Sequence, residues 1–188
     1  MPDVVGLLLA AGAGRRMGLP KALVVDDDGE PWVRNAVHTL GAGGCVPVIV
    51  VIGAEAARVR DLLSVVHDVQ IVEATEWAEG MGASLRAGLD ACVTMSPGAD
   101  AALVHLVDVP DVGAEVVRRV GGHAAAGTLA RAVYSGRPGH PVLLGREHWA
   151  QVVASSRGDQ GARAYLAARD VELVDCSDLA TGADVDSR

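Results

Sequence analysis

The chain has 188 residues, a formal net charge of −8 and a hydrophobic content of 50%, with only 3% aromatic residues. This length is enough for a single domain, 1–188, with a sizeable core, and no repeat, low-complexity tract or linker divides it. The acidic balance argues against partners such as nucleic acid or an anionic membrane, because both require a basic protein surface.

Three cysteines, Cys45, Cys92 and Cys176, are widely spaced and form no CxxC pair. They predict free thiols in a reducing cytoplasm rather than a disulfide framework or a zinc site. The first residues include Asp3 and lack the cationic region of a secretory signal. No apolar run approaches the ~20 residues that span a bilayer. We therefore expect a cytoplasmic protein without a membrane segment.

Apolar runs of strand length alternate along the chain with longer segments of helical period. This pattern predicts an α/β fold: a three-layer α/β/α Rossmann-like arrangement around a mostly parallel sheet. The predicted strands are 4–9, 46–52, 69–72, 101–107, 128–133, 141–144 and 171–174. The predicted helices are 32–40, 54–66, 83–93, 113–120, 146–155 and 160–169. Ligands of such sheets bind beyond the carboxyl ends of the strands, so the functional residues are expected there.

The first predicted strand runs directly into a loop, residues 10–21, that carries three glycines, two arginines and a lysine. Glycines allow successive backbone N–H groups to converge on one anion, and the basic side chains add full charges for phosphate oxygens. The loop therefore predicts a polyphosphate site. It is not a dinucleotide fingerprint, because Gly18 comes one residue late, and it lacks the P-loop spacing. An ordinary strand-to-helix connection is the alternative.

The same stretch carries a resemblance to a known family. It reads Leu9-Ala10-Ala11-Gly12-Ala13-Gly14-Arg15-Arg16-Met17-Gly18-Leu19-Pro20-Lys21. This run resembles the signature loop of nucleotidyltransferases with a glycosyltransferase-A-like Rossmann fold, and most of all that of molybdenum cofactor cytidylyltransferases. The resemblance implies a fold of the nucleotide-diphospho-sugar transferase type. It also implies that the loop backbone from Leu9 to Arg15, with Arg16 and Lys21 as catalytic residues, binds the triphosphate of a nucleotide.

A second match to the family is the stretch from Glu76 to Leu89, in which Gly80 and Gly82 precede a predicted helix start. The resemblance implies that Gly80, Met81 and Ser84 bind the nucleoside part of the nucleotide. Gly82 replaces a serine that is common there. The alternative is a helix N-terminus with glycine entry, and both interpretations can hold together.

Asp108 ends the buried run 101–107 and is followed by Val109 and Pro110. Mg²⁺ prefers oxygen ligands and is usually held by one or two carboxylates together with substrate phosphates. Beside a triphosphate loop, Asp108 is therefore the leading candidate for a catalytic metal ligand, and the family has an Asp-x-Pro here whose Asp binds Mg²⁺. Capping of the next helix is the alternative for Asp108. Asp111, which departs from the family pattern, is predicted to be an N-cap.

Two further stretches resemble family segments near the acceptor substrate. One contains His140 between Gly139 and Pro141, and the other runs from Gly158 to Arg163 and includes Asp159. The resemblance implies that His140, Asp159 and Arg163 bind the acceptor. The alternatives are a structural histidine on a rigid loop and a helix capped by Asp159.

The acidic residues Asp184 and Asp186 alternate near the end of the sequence, which places them on the same side of an extended segment. The family segment has the same pattern, and the resemblance implies that Asp186 is the second metal ligand, with Asp184 in reserve. A disordered acidic tail is the alternative, because chain ends are often poorly ordered.

The resemblance as a whole implies transfer of CMP from Mg²⁺·CTP to the terminal phosphate of a molybdopterin-type cofactor, with release of pyrophosphate. The run Ala10-Ala11-Gly12 favours CTP, because the guanylyl branch tends to have Ala-Gly-Gly. A guanylyl- or sugar-phosphate nucleotidyltransferase is the alternative enzyme. A noncatalytic cofactor-insertion chaperone for a molybdenum hydroxylase client is the alternative of another class. A flavin or nicotinamide reductase is disfavoured by the absent Gly-x-Gly-x-x-Gly.

Overall fold

The computed structural model describes residues 3–185, which form one central sheet flanked by helices. The strands are β1 (Val4–Ala10), β2 (Val48–Ile52), β3 (Val69–Glu73), β4 (Ala101–Leu106), β5 (Leu129–Tyr134), β6 (Arg137–Gly145) and β7 (Glu172–Asp175). Their spatial order is β3-β2-β1-β4-β6-β5-β7. Only β6 runs against its neighbours β4 and β5, whereas the other pairs are parallel.

The helices are α1 (Trp32–Ala42), α2 (Ala56–Leu63), α3 (Met81–Met95), α4 (Ala114–Gly121), α5 (Trp149–Ser155) and α6 (Arg163–Ala167). Helices α1, α2 and α4 pack on one face of the sheet and α3, α5 and α6 on the other. The alternation of β1 explains both cores, because Leu8 faces the first set of helices and Leu7 faces the second. The predicted three-layer α/β/α fold with a mostly parallel sheet is confirmed.

Strands β1 and β4 place the two leading functional segments side by side. Every residue of β1 is buried, as expected for a parallel strand covered by helices on both faces. Leu9 of β1 pairs in parallel with Leu106 of β4. The loop after Ala10 and the residue Asp108 therefore both follow strand ends at the same edge of the sheet.

The hairpin of β5 and β6 differs from the prediction. His140 was expected on a rigid loop before the predicted strand 141–144, yet residues 137–140 are the first half of β6. Ser135 and Gly136 have φ angles of 50° and 78°, which is the left-handed backbone that a tight two-residue hairpin requires. His140 therefore projects from a strand.

The predicted helix 160–169 is also different, because Gly161 has φ 51° and ψ −126° and interrupts it. A 3₁₀ turn, Gly158–Gln160, comes first, and α6 begins only at Arg163. Asp159 consequently caps no α-helix.

None of the helices within residues 3–185 combines the length and the apolar character that a membrane crossing requires.

Candidate functional site

A cleft of about 440 Å³ opens at the carboxyl ends of β1 and β4. Four segments that are distant in sequence line it: the loop after β1, the start of α3 with the turn before it, the end of β4 and the turn at Asp159. The predicted nucleotide or metal residues along it are Leu9, Ala11, Gly12, Ala13, Gly14, Arg15, Lys21, Gly80, Met81, Ser84 and Asp108. Ala10 is buried in β1, and Arg16 is exposed on the same loop without lining the cleft. A nucleotide or metal role stays a prediction for all of these residues, including those that line the cleft.

The loop after β1 is folded around Gly14. The Gly14 carbonyl accepts hydrogen bonds from the N–H groups of Met17 and Gly18, both at 2.9 Å. Gly14 has φ 60°, and a Cβ there would lie 1.9 Å from the carbonyl oxygen of Leu19. Only glycine fits this position. Gly12 needs neither a positive φ nor a close protein contact, and its open side faces the cleft.

Lys21 and Asp108 meet in this cleft, with 2.8 Å between Lys21 Nζ and Asp108 Oδ2. Both side chains are mostly buried, with 16% and 21% of their surface exposed. The second oxygen, Asp108 Oδ1, is buried and has no hydrogen-bond partner among residues 3–185. Buried polar atoms are normally satisfied, so this oxygen fits a ligand that supplies positive charge, such as a divalent cation.

The C-terminal segment reaches the same place. The N–H of Val185 donates to the Asp108 carbonyl at 2.9 Å, which joins the segment to the end of β4. Asp184, the reserve candidate, lines a neighbouring cleft together with Asp108. Asp186, the predicted second metal ligand, lies outside the described residues. Within 3–185 no group of three potential His, Cys, Asp or Glu ligands is assembled.

The prediction for Asp111 was wrong. Gly113 occupies the N-cap position of α4, and no side chain caps that helix. Asp111 Oδ2 instead accepts hydrogen bonds from the Thr181 N–H at 2.7 Å, the Thr181 hydroxyl at 2.5 Å and the Gly182 N–H at 3.2 Å. A sequence gives no sign of such a contact across about 70 residues. Asp111 therefore anchors the segment that carries Asp184.

Asp111→Ala is expected to release this segment, because three N–H and O–H donors lose one common acceptor. Amide hydrogen exchange at Thr181 and Gly182 should accelerate about tenfold or more, since a charge-assisted hydrogen bond contributes roughly 1.5–3 kcal/mol. Exchange in β1 should stay unchanged. Asp61→Ala, at an exposed position of α2, is the matched control. Equal protection of Gly182 in both variants would contradict the anchoring role.

The turn before α3 adds cleft residues that lie in the second matched stretch but were given no role there. Trp77 and Glu79, in a 3₁₀ turn before α3, line the cleft beside Gly80. Gly80 has φ 115°, and a Cβ there would lie 2.4 Å from Asp159 Oδ1. Arg86 does not line the cleft, and its guanidinium donates a hydrogen bond of 3.0 Å to the Glu79 carboxylate. The wall is thus held in shape by contacts behind it.

The second cleft, of about 360 Å³, adjoins the first and contains all the residues predicted for the acceptor. His140 and Arg163 line only this second cleft, whereas Asp159 and Asp108 line both. Arg131, which the sequence did not single out, is a further lining residue. The two clefts share a wall, so molecules bound in each would meet near Asp108.

Burial keeps two histidines of this region uncharged. Desolvation, together with the smaller effect of the nearby positive charge of Arg131, lowers the pKa of His140 to about 4. His105, on β4, is 1% exposed, and burial lowers its pKa to about 3. At neutral pH, His140 can donate or accept a hydrogen bond but carries no charge.

Residues 6–173 match the MobA-like NTP transferase domain. This chain belongs to that family. The predicted membership of a nucleotidyltransferase family is therefore confirmed. A nucleoside triphosphate is the substrate class that the MobA-like family implies. The cleft with Lys21 and Asp108 lies within the matched residues.

Among relatives of this MobA-like protein, nicotine blue oxidoreductase of Paenarthrobacter nicotinovorans is 38% identical over 197 aligned residues, which cover 100% of this chain and 94% of the relative. The solved structure of Rv0371c from Mycobacterium tuberculosis is 27% identical, with a TM-score of 0.80 over 99% of this chain and 93% of that chain. A nucleotidyl transferase from Methanothermobacter shares the fold, with 24% identity and a TM-score of 0.78 over 93% and 88% of the two chains.

Proposed function

We propose that this MobA-like protein transfers CMP from Mg²⁺·CTP to the terminal phosphate of a molybdopterin-type cofactor and releases pyrophosphate. One observation carries the proposal: a glycine-rich loop, the Lys21 ammonium and the Asp108 carboxylate line one cleft. This cleft adjoins a second one that can take an acceptor. The choice of CTP rests on the run Ala10-Ala11-Gly12, and GTP with another phosphorylated acceptor is the alternative.

The residues present fit a divalent cation. Asp108 would hold Mg²⁺ through its unsatisfied Oδ1, and Asp184 or Asp186 would supply the second carboxylate. When bound, the ion supplies positive charge that offsets the charge on the phosphate oxygens. A manganese complex of Rv0371c has been solved, which supports a divalent metal in a related fold.

The transfer itself needs no covalent protein nucleophile, because phosphoryl-type reactions depend mainly on positioning and charge stabilisation. An oxygen of the acceptor phosphate attacks the α-phosphorus, and the bond from that phosphorus to the bridging oxygen breaks. Pyrophosphate leaves with the electron pair. Lys21 and Arg16 would stabilise the charge that grows on it, and the N–H groups of the loop from Ala11 to Arg15 would orient the triphosphate.

Lys21 gives a direct test of nucleotide choice, because it is the only lysine in the sequence. An amine-acylating reagent therefore modifies one side chain, which mass spectrometry separates from the N-terminal amine. Mg²⁺·CTP is expected to slow acylation of Lys21 about tenfold or more, with GTP and ATP protecting less. Pyrophosphate release should require a phosphorylated pterin acceptor. If GTP protects Lys21 as well as CTP does, or if pyrophosphate is released with GTP but not with CTP, CTP is rejected as the proposed nucleotide.

The same experiment tests a noncatalytic role. A cofactor-insertion chaperone for a molybdenum hydroxylase would bind nucleotide or pterin without releasing pyrophosphate. Protection of Lys21 without turnover would therefore favour the chaperone. Release of pyrophosphate coupled to loss of the acceptor would exclude it.

The 38% identity to a protein named an oxidoreductase favours a second candidate function, electron transfer. Such a reaction needs an electron donor, and a nicotinamide dinucleotide carries the phosphates that the glycine-rich loop could bind. Oxidation of NADH or NADPH in the presence of a reducible dye, followed by absorbance, tests this candidate. If the protein oxidises NADH or NADPH and Lys21→Ala abolishes this activity, the protein is an oxidoreductase. If it turns over CTP and oxidises neither dinucleotide, only the transferase proposal stands.

A further inference from the structure

Arg131 lies on β5 and extends into the second cleft, half-buried. One of its terminal nitrogens donates to the Gly139 carbonyl at 3.2 Å. Its Nε is buried and has no hydrogen-bond partner among the described residues. Burying a charged donor without a partner is costly, so such a group usually serves a ligand.

Arg163, the first residue of α6, faces the same cleft. Burial lowers the pKa of Arg131, and the nearby charge of Arg163 lowers it further, so the two guanidinium groups repel each other. Within 3–185, neither guanidinium forms an ion pair with a carboxylate. Other arginines of this acidic chain do so, namely Arg34, Arg58, Arg60, Arg86, Arg118 and Arg119. The second cleft thus contains two guanidinium groups whose charge no carboxylate of residues 3–185 pairs within ion-pair distance.

The rest of the second cleft has an apolar wall and three carboxylates, those of Asp108, Asp159 and Asp184. Val104, Leu106, Val142 and Leu144 line it from the sheet and Leu166 from α6. The part of this cleft where two guanidinium groups lie beside the apolar wall matches a molecule with one anionic group and an apolar or flat body. His140, uncharged at neutral pH, offers one further hydrogen bond beside Arg131.

We propose that Arg131 and Arg163 form a phosphate subsite that binds the terminal phosphate of the acceptor, a phosphomonoester with an apolar body. This inference rests on the proposed function, because it names the acceptor group in that reaction. Guanidinium groups bind phosphate through paired, charge-assisted hydrogen bonds, and the anion would relieve the repulsion between the two arginines. Because Asp108 lines both clefts, a phosphate held here would lie beside the nucleotide that it attacks.

The test measures binding of inorganic phosphate and of phenyl phosphate to the full chain by calorimetry, at constant ionic strength and without nucleotide. Arg163→Gln is the principal variant, because Arg163 is exposed and its loss should leave the fold intact. Arg131→Gln is the second variant, and its melting curve reports whether it folds. Arg137→Gln, an exposed arginine of β6 that does not line the cleft, is the matched control. Lys21→Ala removes the cation of the other cleft.

Arg163→Gln is expected to weaken phosphate binding about tenfold, the effect of one charge-assisted contact. Arg137→Gln should bind phosphate as the unchanged protein does, Lys21→Ala should lose only the phosphate that binds in the first cleft, and phenyl phosphate should bind more tightly than inorganic phosphate. Unchanged binding in Arg163→Gln, or a loss in Lys21→Ala alone, would overturn the subsite. Since no turnover is measured, a failure of CMP transfer leaves this result unaffected. A subsite without transfer would therefore reject the proposed function and keep the inference.

Discussion

Asp108→Asn is expected to abolish nucleotidyl transfer, with a loss of about 10³-fold or more in kcat, while the fold stays intact. Asparagine has nearly the same shape and keeps an oxygen that can accept from Lys21, which lies 2.8 Å from Asp108 Oδ2. The substitution removes the negative charge that a divalent cation requires. Lys21→Ala is expected to cost as much, because the ammonium would no longer stabilise the leaving pyrophosphate.

Pyrophosphate release under saturating nucleotide and metal measures both variants. Asp90→Asn, at an exposed position of α3, is the matched control for a lost carboxylate. Lys21→Arg keeps the positive charge and should retain more activity than Lys21→Ala. Circular dichroism and melting curves verify that each variant folds. Activity within about fivefold of the unchanged protein in a folded Asp108→Asn would remove Asp108 from the proposed mechanism.

The protein is also expected to lose several kcal/mol of its free energy of unfolding between about pH 6.5 and about pH 4. Burial holds the pKa of His105 at about 3 and that of His140 at about 4, whereas an unfolded histidine titrates near 6.5. Below pH 6.5 the unfolded chain therefore binds protons that the folded chain does not bind. Each histidine lowers the unfolding free energy by roughly 1 kcal/mol per pH unit over that interval.

Above pH 6.5 both histidines are neutral in both states, so their contribution is fully present there. It is lost as the pH falls, until each folded-state pKa is reached. Urea denaturation at a series of pH values measures the slope. His105→Leu, which replaces a buried imidazole with an apolar side chain, should make the slope shallower, whereas His38→Gln at an exposed position should not. A slope that His105→Leu leaves unchanged would contradict the assignment of this acid sensitivity to His105.

The local sequence was a good guide wherever neighbours along the chain fix the structure. The continuous apolar runs of β2 and β4 predicted buried parallel strands, and Gly14 predicted a turn that a Cβ would prevent. Boundaries were less accurate where one backbone angle decides them. The φ of 51° at Gly161 divides the predicted helix, and the hairpin at Ser135 and Gly136 turns a predicted loop into the start of β6.

Contacts between distant segments could not be predicted from the sequence, because side-chain identity does not reveal which segments the fold brings together. Asp111 follows Asp108 closely and looked like a helix cap, yet its carboxylate binds Thr181 and Gly182. Arg131 looked like an ordinary strand residue, and only the folded sheet turns it toward Arg163.

The sequence by itself determined the fold class, the family, and the residue types that can bind a triphosphate and a metal, because these depend on periodicity and on short motifs. The tertiary structure alone decided that Lys21 pairs with Asp108 and that the C-terminal segment is anchored beside that pair. It also decided that two arginines without an ion pair to any residue of 3–185 share the neighbouring cleft. The physical reason is the parallel sheet. Its register aligns the carboxyl ends of strands that lie far apart in the chain, and that alignment places their side chains in one site.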